Sequence, residues 1–261
     1  MLPVLMYHSV STVAAGPMRP YAVPPALLAD QLVALREAGY TLLGLTEALA
    51  RHDADPVGER VVAVTFDDGY RDFLSGGLAA LRAAGARATL YLPAGHLGGP
   101  ASWLRRHDVG PLMSWAEVPE AVADGLVEIG NHNMVHIPMD LLTERSLVAG
   151  IRDARLRLQD ASNQPVSSFA YPYGYHDLTV RRAVAAAGHT NACECGDRRY
   201  AGGGRRFAVP RLRVGSDHSP SAVVDLVSGG GPRLMPAVWQ VSQPAWRMVR
   251  RAADLVGVRL A

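Results

Sequence analysis

Two hydrophobic rhythms alternate along the chain. Short apolar runs bounded by turn residues predict strands at 4–8, 61–66, 88–92, 127–129, 168–171, 190–193 and 209–214. Between them, apolar residues at three- and four-residue intervals predict helices at 25–38, 70–84, 115–124, 144–159, 178–187 and 220–228. Gly39, Gly85, Gly125 and Gly188 follow four of these helical runs, where a left-handed residue commonly ends a helix. Repeated strand–helix units imply a parallel sheet, either doubly wound or closed as a barrel.

Two short motifs carry the candidate chemistry. Thr65-Phe66-Asp67-Asp68-Gly69 puts adjacent carboxylates at the end of the run 61–64. Neighbouring residues at a strand exit point in different directions. One carboxylate can therefore bind a metal while the other faces a substrate. His132-Asn133-Met134-Val135-His136 spaces two imidazoles four residues apart, on a turn of helix or a tight helix-like loop. Two His and one Asp make a three-ligand set that leaves a coordination position open, as catalytic zinc sites do. The combination points to metal-assisted hydrolysis. His8, Asp67, Asp68, His132, His136 and Tyr173 all fall just after predicted strands. In a (β/α) barrel such positions converge on one mouth, and this favours a seven-stranded barrel over an open sheet.

Composition narrows the field. At 261 residues and 49% apolar, the chain suits one large α/β domain. A net charge of +2 without a basic stripe leaves nucleic-acid binding unsupported. All 26 basic residues are Arg, which excludes Schiff-base and P-loop lysine chemistry. The N-terminal stretch lacks a signal-peptide pattern and no run reaches transmembrane length, so the expectation is a cytoplasmic protein. Cys193 and Cys195 read as ordinary strand cysteines, and His96, His107, His176, His189 and His218 show no ligand spacing.

The motifs resemble those of the polysaccharide deacetylase family, the NodB homology domain of carbohydrate esterase family four. Thr65–Phe66–Asp67–Asp68–Gly69 is the family hallmark intact. His132 to His136 matches its histidine motif with Asn133 in the hydroxyl position, approached through Glu128-Ile129-Gly130-Asn131 and Ser114-Trp115. Ala170-Tyr171-Pro172-Tyr173-Gly174 stands for the third motif. The resemblance covers residues 1–228. Two departures stand out: Ala170 replaces the family Arg, and no His follows position 229 to serve as the usual acid. His8 instead matches the N-terminal histidine of a permuted subgroup that includes poly-N-acetylglucosamine deacetylases.

The resemblance implies an N-deacetylase acting on an N-acetylated carbohydrate. Asp68, His132 and His136 would hold one divalent ion, Zn²⁺ or alternatively Ni²⁺ or Co²⁺. Asp67 would be the general base, and His8, protonated near neutrality, the general acid. The backbone N–H of Tyr173 would donate to the oxyanion. Arg211 either replaces the missing Arg beside Asp67 or is structural. Tyr171, Pro172 and Trp115 are candidates for the substrate surface. Alternatives are an amidohydrolase of a small non-sugar amide or cyclic ureide, and a noncatalytic carbohydrate-binding barrel. Residues 229–261 read as a Gly-rich linker and an amphipathic C-terminal helix. That helix is expected to pack on the barrel or a second subunit, with membrane-surface contact the alternative.

Overall fold

The apolar runs become β1 (Val4–Tyr7), β2 (Thr41–Leu43), β3 (Val61–Phe66), β4 (Ala88–Leu92), β5 (Val127–Asn131), β6 (Ser168–Ala170), β7 (Asn191–Cys193) and β8 (Leu212–Arg213). This computed structural model describes residues 1–12, 16–56, 58–104, 110–230 and, in the tail, Trp246, Met248, Val249 and Ala252. The strands form one sheet in the order β7-β6-β5-β4-β3-β1-β8, with every ladder parallel. Val209 bridges Cys193 of β7, and Leu212 and Arg213 pair with β1. One segment thus joins the two ends of the sheet, and the expected seven strands curl into a distorted (β/α) barrel. Pro210 lacks the N–H that a longer strand would use, which explains why the predicted strand 209–214 shrinks to two residues.

The helices are α1 (Pro25–Glu37), α2 (Leu45–Ala54), α3 (Leu78–Ala84), α4 (Val118–Val122), α5 (Glu144–Ser162), α6 (Leu178–Ala186) and α7 (Pro220–Ser228). Thr143, Asp177 and Ser219 cap α5, α6 and α7 by accepting from backbone N–H groups of the first turn. Gly39, Gly85, Gly125 and Gly188 all take positive φ, as expected. The sequence pattern missed β2 and α2. It also read 70–84 as one helix, whereas a π-helical turn, Phe73–Gly77, precedes α3. Among the described residues no helix is long and apolar enough to cross a membrane. The predicted C-terminal helix lies almost wholly outside the described residues.

The two-residue period of the strands decides what meets at the mouth. Val62, Val64 and Phe66 join the large cluster under the helices, with Leu5 and Tyr7 of β1. Val61, Ala63 and Val4 belong to a second cluster with Tyr91, Ala170, Cys193 and Val209, which fills the barrel. Continuing that inward alternation past each strand reaches His8 after Met6, Asp67 after Thr65, Cys195 after Cys193, and Arg211 then Arg213 after Val209. The fold thus delivers an imidazole, a carboxylate, a thiol and two guanidinium groups to one end of the barrel from four strands.

A buried histidine braces this end. His189, 4% exposed, has Nδ1 3.2 Å from the Val184 carbonyl and Nε2 3.2 Å from the Asn131 amide nitrogen. Asn131 also donates to Ile151 O and accepts from Asn133 N–H, so the pair anchors the start of the His132 loop. An acceptor role at Nε2 requires a neutral ring, and burial lowers the His189 pKa to about 4. The unfolded chain binds this proton more readily. Stability from His189 is therefore present above the ordinary value near 6.5 and lost as pH falls towards about 4, on the order of 3 kcal/mol. Melting temperatures of the wild type are expected to fall more steeply over that window than those of His189→Gln. Parallel curves for the two proteins would count against this role.

Candidate active site

Asp67 and Arg211 form the deepest contact of the mouth. Arg211 Nη1 and Nη2 donate to Asp67 Oδ1 and Oδ2 at 2.6 and 2.7 Å, a bidentate pair. Arg211 is fully buried, also donating to Thr65 Oγ1 and the Glu194 carbonyl, with its guanidinium 5.7 Å from the Tyr91 ring centroid. Position 170 carries only a methyl group, and the cation that steadies Asp67 comes from position 211 instead. Burial alone would raise the Asp67 carboxyl; the Arg211 charge outweighs it and holds the group below the usual carboxylate range.

Asp68 turns the other way. Extended backbone would send it to the helix layer, but its φ of 71° reverses the chain. Asn133, Tyr173 and Asp197 share this left-handed conformation at φ of 66°, 58° and 47°. Four of the five described non-glycine residues with positive φ thus belong to the mouth; the fifth, Asn163, caps α5. Each such residue costs about 1–3 kcal/mol, more for a bulky Tyr than for Asn or Asp, and such strain collects at functional sites.

Asp68, His132 and His136 each offer a ligand atom, all within 4.8 Å of one another and all buried. Asp68 Oδ1 lies 3.4 Å from His132 Nε2 and 3.2 Å from His136 Nε2, and makes no hydrogen bond. His132 Nδ1 is 2.8 Å from the Ala170 carbonyl, so that nitrogen carries the proton and a neutral His132 aims its Nε2 lone pair at the carboxylate. Lone pairs facing one another across a buried gap call for a cation between them. This donor set fits one divalent ion of zinc type. The two histidines stand on a loop after β5 and not on a turn of helix; the left-handed Asn133 replaces helical geometry.

These groups line a cavity of about 410 Å³. His8, Asp67, Asp68, His132, His136, Tyr171 and Tyr173 are on its wall, as the sequence suggested. Arg211 stands behind Asp67 and acts through it. Tyr173 packs its ring 4.6 Å from that of His136, and Gly174 follows at φ 76°, where a Cβ would fall 2.7 Å from Cys195 N. Pro172 is buried at the start of this turn and shapes it without reaching the cavity. Trp115 is a correction: it sits in the 3-10 turn Trp115–Glu117 with Arg157 over its ring, away from the cavity. Burial holds the His8 imidazole below the ordinary value, and Asp68 and Asp67 pull it upward without reversing the direction, which runs against the protonated form expected near neutrality.

Several residues of the site carried no usable sequence signal. Trp103 stacks on His136 with centroids 4.2 Å apart, and Tyr21 meets His8 edge-on with centroids 5.0 Å apart. Tyr175 completes an aromatic wall. Cys195 lies beyond β7 on the cavity wall, where burial pushes its thiol up to about 12 and keeps it protonated, unlike a nucleophilic cysteine. His176 pairs with the buried Glu194 at 2.6 Å, its ring against Tyr171, which props the Tyr171–Gly174 turn from behind. His96 Nε2 accepts from the His136 backbone N–H. His107 lies outside the described residues.

Comparison with known proteins agrees with this geometry. The polysaccharide deacetylase family model matches residues 54–192, which include both carboxylates and both histidines of the cluster. "Putative polysaccharide deacetylase YxkH" of Bacillus subtilis (strain 168) is 26% identical over 227 residues, covering 85% of this chain and 74% of YxkH. Two solved structures share the fold. IcaB from Ammonifex degensii superposes with a TM-score of 0.72 at 24% identity, over 86% of this chain and 96% of IcaB. The Streptococcus pyogenes deacetylase PplD, solved with acetate, gives 0.72 at 19% identity, over 87% of this chain and 97% of PplD. A match across more than half of the chain, centred on the residues that build the cavity, makes this protein a member of the polysaccharide deacetylase family.

Proposed function

We propose that the chain is a metal-dependent N-deacetylase that hydrolyses the acetamide of an N-acetylated amino sugar to amine and acetate. The observation that carries this reading is the division of labour between adjacent carboxylates. Asp68 faces two imidazoles, while Asp67, clamped by Arg211, faces the same cavity without touching them as a ligand. Pure carbohydrate binding has no use for a fixed base beside a cation site, which disfavours the noncatalytic reading. The catalytic unit is residues 1–228, with 229–261 as linker and tail; α7 ends at Ser228 against the left-handed Gly229.

An acetamide is a weak electrophile with a poor leaving group. Asp68, His132 and His136 would hold a divalent ion, which would supply Lewis-acid polarisation of the carbonyl and acidify water. Asp67 removes the proton of the attacking water; Arg211 keeps the carboxylate anionic and aligned, and proximity compensates for its weak basicity. The Tyr173 backbone N–H donates to the developing oxyanion. His8 delivers a proton to the departing nitrogen. The proton that Asp67 takes from water balances the one that His8 gives to nitrogen, and transfer between the two groups restores both for the next turnover. Tyr173, Tyr175, Tyr21 and Trp103 give the cavity aromatic faces against which a pyranose can pack, with the buried Tyr171 behind them.

Incubation with N-acetylglucosamine oligomers tests the assignment. Acetate and free amine are expected in equal amounts, with no comparable turnover of cyclic ureides. Glycan binding without acetate release, across several metals, would contradict it.

A further inference from the structure

Among the described residues no hydrogen bond aims the His8 ring through its buried Nδ1, and its aromatic neighbour Tyr21 meets it only edge-on. A proton donor needs placement to a fraction of an ångström, since a shift of about 1 Å can cost a hundredfold. The placement must therefore come from the backbone that carries it.

That backbone is clamped just after His8. Strands β1 and β3 leave the sheet side by side, with Asp67 N–H donating to Tyr7 O at 3.0 Å. Past the exit, Asp72 reaches back from the β3 side. Its Oδ2 accepts from Ser9 Oγ at 2.5 Å and its Oδ1 from Val10 N–H at 2.9 Å. Asp72 is also the residue before the π-helical turn Phe73–Gly77. Within that turn Gly76 receives Val10 directly: a Cβ there would fall 2.7 Å from Val10 Cγ1 and 3.2 Å from Val10 O. From the opposite side Val23 N–H donates to Ser9 O at 3.0 Å. π-turns within helices recur at functional sites, and here the Asp72 carboxylate before the turn and the bare Gly76 backbone within it both meet Val10.

We propose that Asp72, together with Gly76, is a positioning residue that fixes His8 relative to Asp67. The inference rests on the reading of His8 as the proton donor. It assigns Asp72 no contact with substrate or metal.

The test uses two leaving groups. An acetamide needs a proton on its nitrogen, whereas 4-nitrophenyl acetate releases a stabilised phenolate without one. Asp72→Ala is expected to lower kcat on an N-acetylglucosamine oligomer by roughly 10–100-fold. KM, metal content and turnover of 4-nitrophenyl acetate should stay within about twofold. Asp72→Asn should recover most of the loss, because its amide can accept from Val10 N–H and donate to Ser9 Oγ. Gly76→Ala, which leaves the clamp's acceptors intact but displaces Val10, should reproduce the same selective loss. In His8→Ala the added Asp72→Ala substitution should cost nothing further. Equal losses on both substrates, additive losses in the double variant, or normal amide turnover in Asp72→Ala beside an impaired His8→Ala would overturn the positioning role and leave the His8 reading standing. Normal amide turnover in His8→Ala would defeat that reading and the proposal with it.

Discussion

Asp68→Ala is expected to lose tight metal binding and to reduce acetate release by roughly a thousandfold or more. Lewis-acid stabilisation is worth several kcal/mol, and each ~1.4 kcal/mol is tenfold in rate. The physical reason is local. Asp68 Oδ1 is the atom towards which both imidazoles aim Nε2, and its carboxyl is held well below the usual range by those same rings against the cost of burial. Without it, two neutral histidines remain, too few for a site of this kind. Zinc content after dialysis and acetate release measured on the same sample check the result. Full activity with stoichiometric metal in Asp68→Ala would refute the ligand set.

Arg211→Ala should show the largest effect on stability. Removing one partner of a buried ion pair strands the other, at about 3–5 kcal/mol. For a chain of this size that corresponds to a fall in melting temperature on the order of 10 °C. Asp67 would also lose its two donors and rise towards a protonated, catalytically idle form. Arg211→Lys is expected to rescue little, because an ammonium cannot reproduce two parallel hydrogen bonds together with those to Thr65 and Glu194 O. Replacing both members, as Asp67→Leu with Arg211→Met, should restore much of the stability and none of the activity. An unchanged melting temperature in Arg211→Ala would show that the pair is not the anchor described.

What could be read from the sequence follows from how local each signal was. The carboxylate pair, the two histidines and the strand-exit position of His8 depend on spacing and on a two-residue period, both of which survive folding unchanged. The barrel was legible for the same reason, since seven apolar runs are separated by helical patterns. Strand β2 was not, because three residues between Gly39 and Gly44 are too few to show a period. The partnership of Arg211 with Asp67 spans 144 residues and left only the choice between a replacement and an unremarkable Arg; the bidentate contact decides it. Trp115 was read, with Ser114, as part of the family's approach to the histidine motif and as a ring for the substrate surface, yet the tryptophan at the cavity is Trp103, delivered by the loop after β4. Of the two forms open to His132–His136, a turn of helix or a tight loop, the chain takes the loop because Asn131 and Asn133 satisfy the backbone through side chains. Cys195 read as an ordinary strand cysteine and His176 as a histidine without ligand spacing, since single residues after a short strand do not announce the cavity wall or the pair with Glu194.

Under the proposed function, one metal ion in the Asp68, His132 and His136 cluster enables amide hydrolysis. The most direct test is titration of chelated protein with Zn²⁺ while acetate release from an N-acetylglucosamine oligomer is followed. Activity is expected to be negligible at the start, to rise linearly, and to level off at one ion per chain. Undiminished activity in the chelated protein, or a fully loaded protein that releases no acetate, would contradict it.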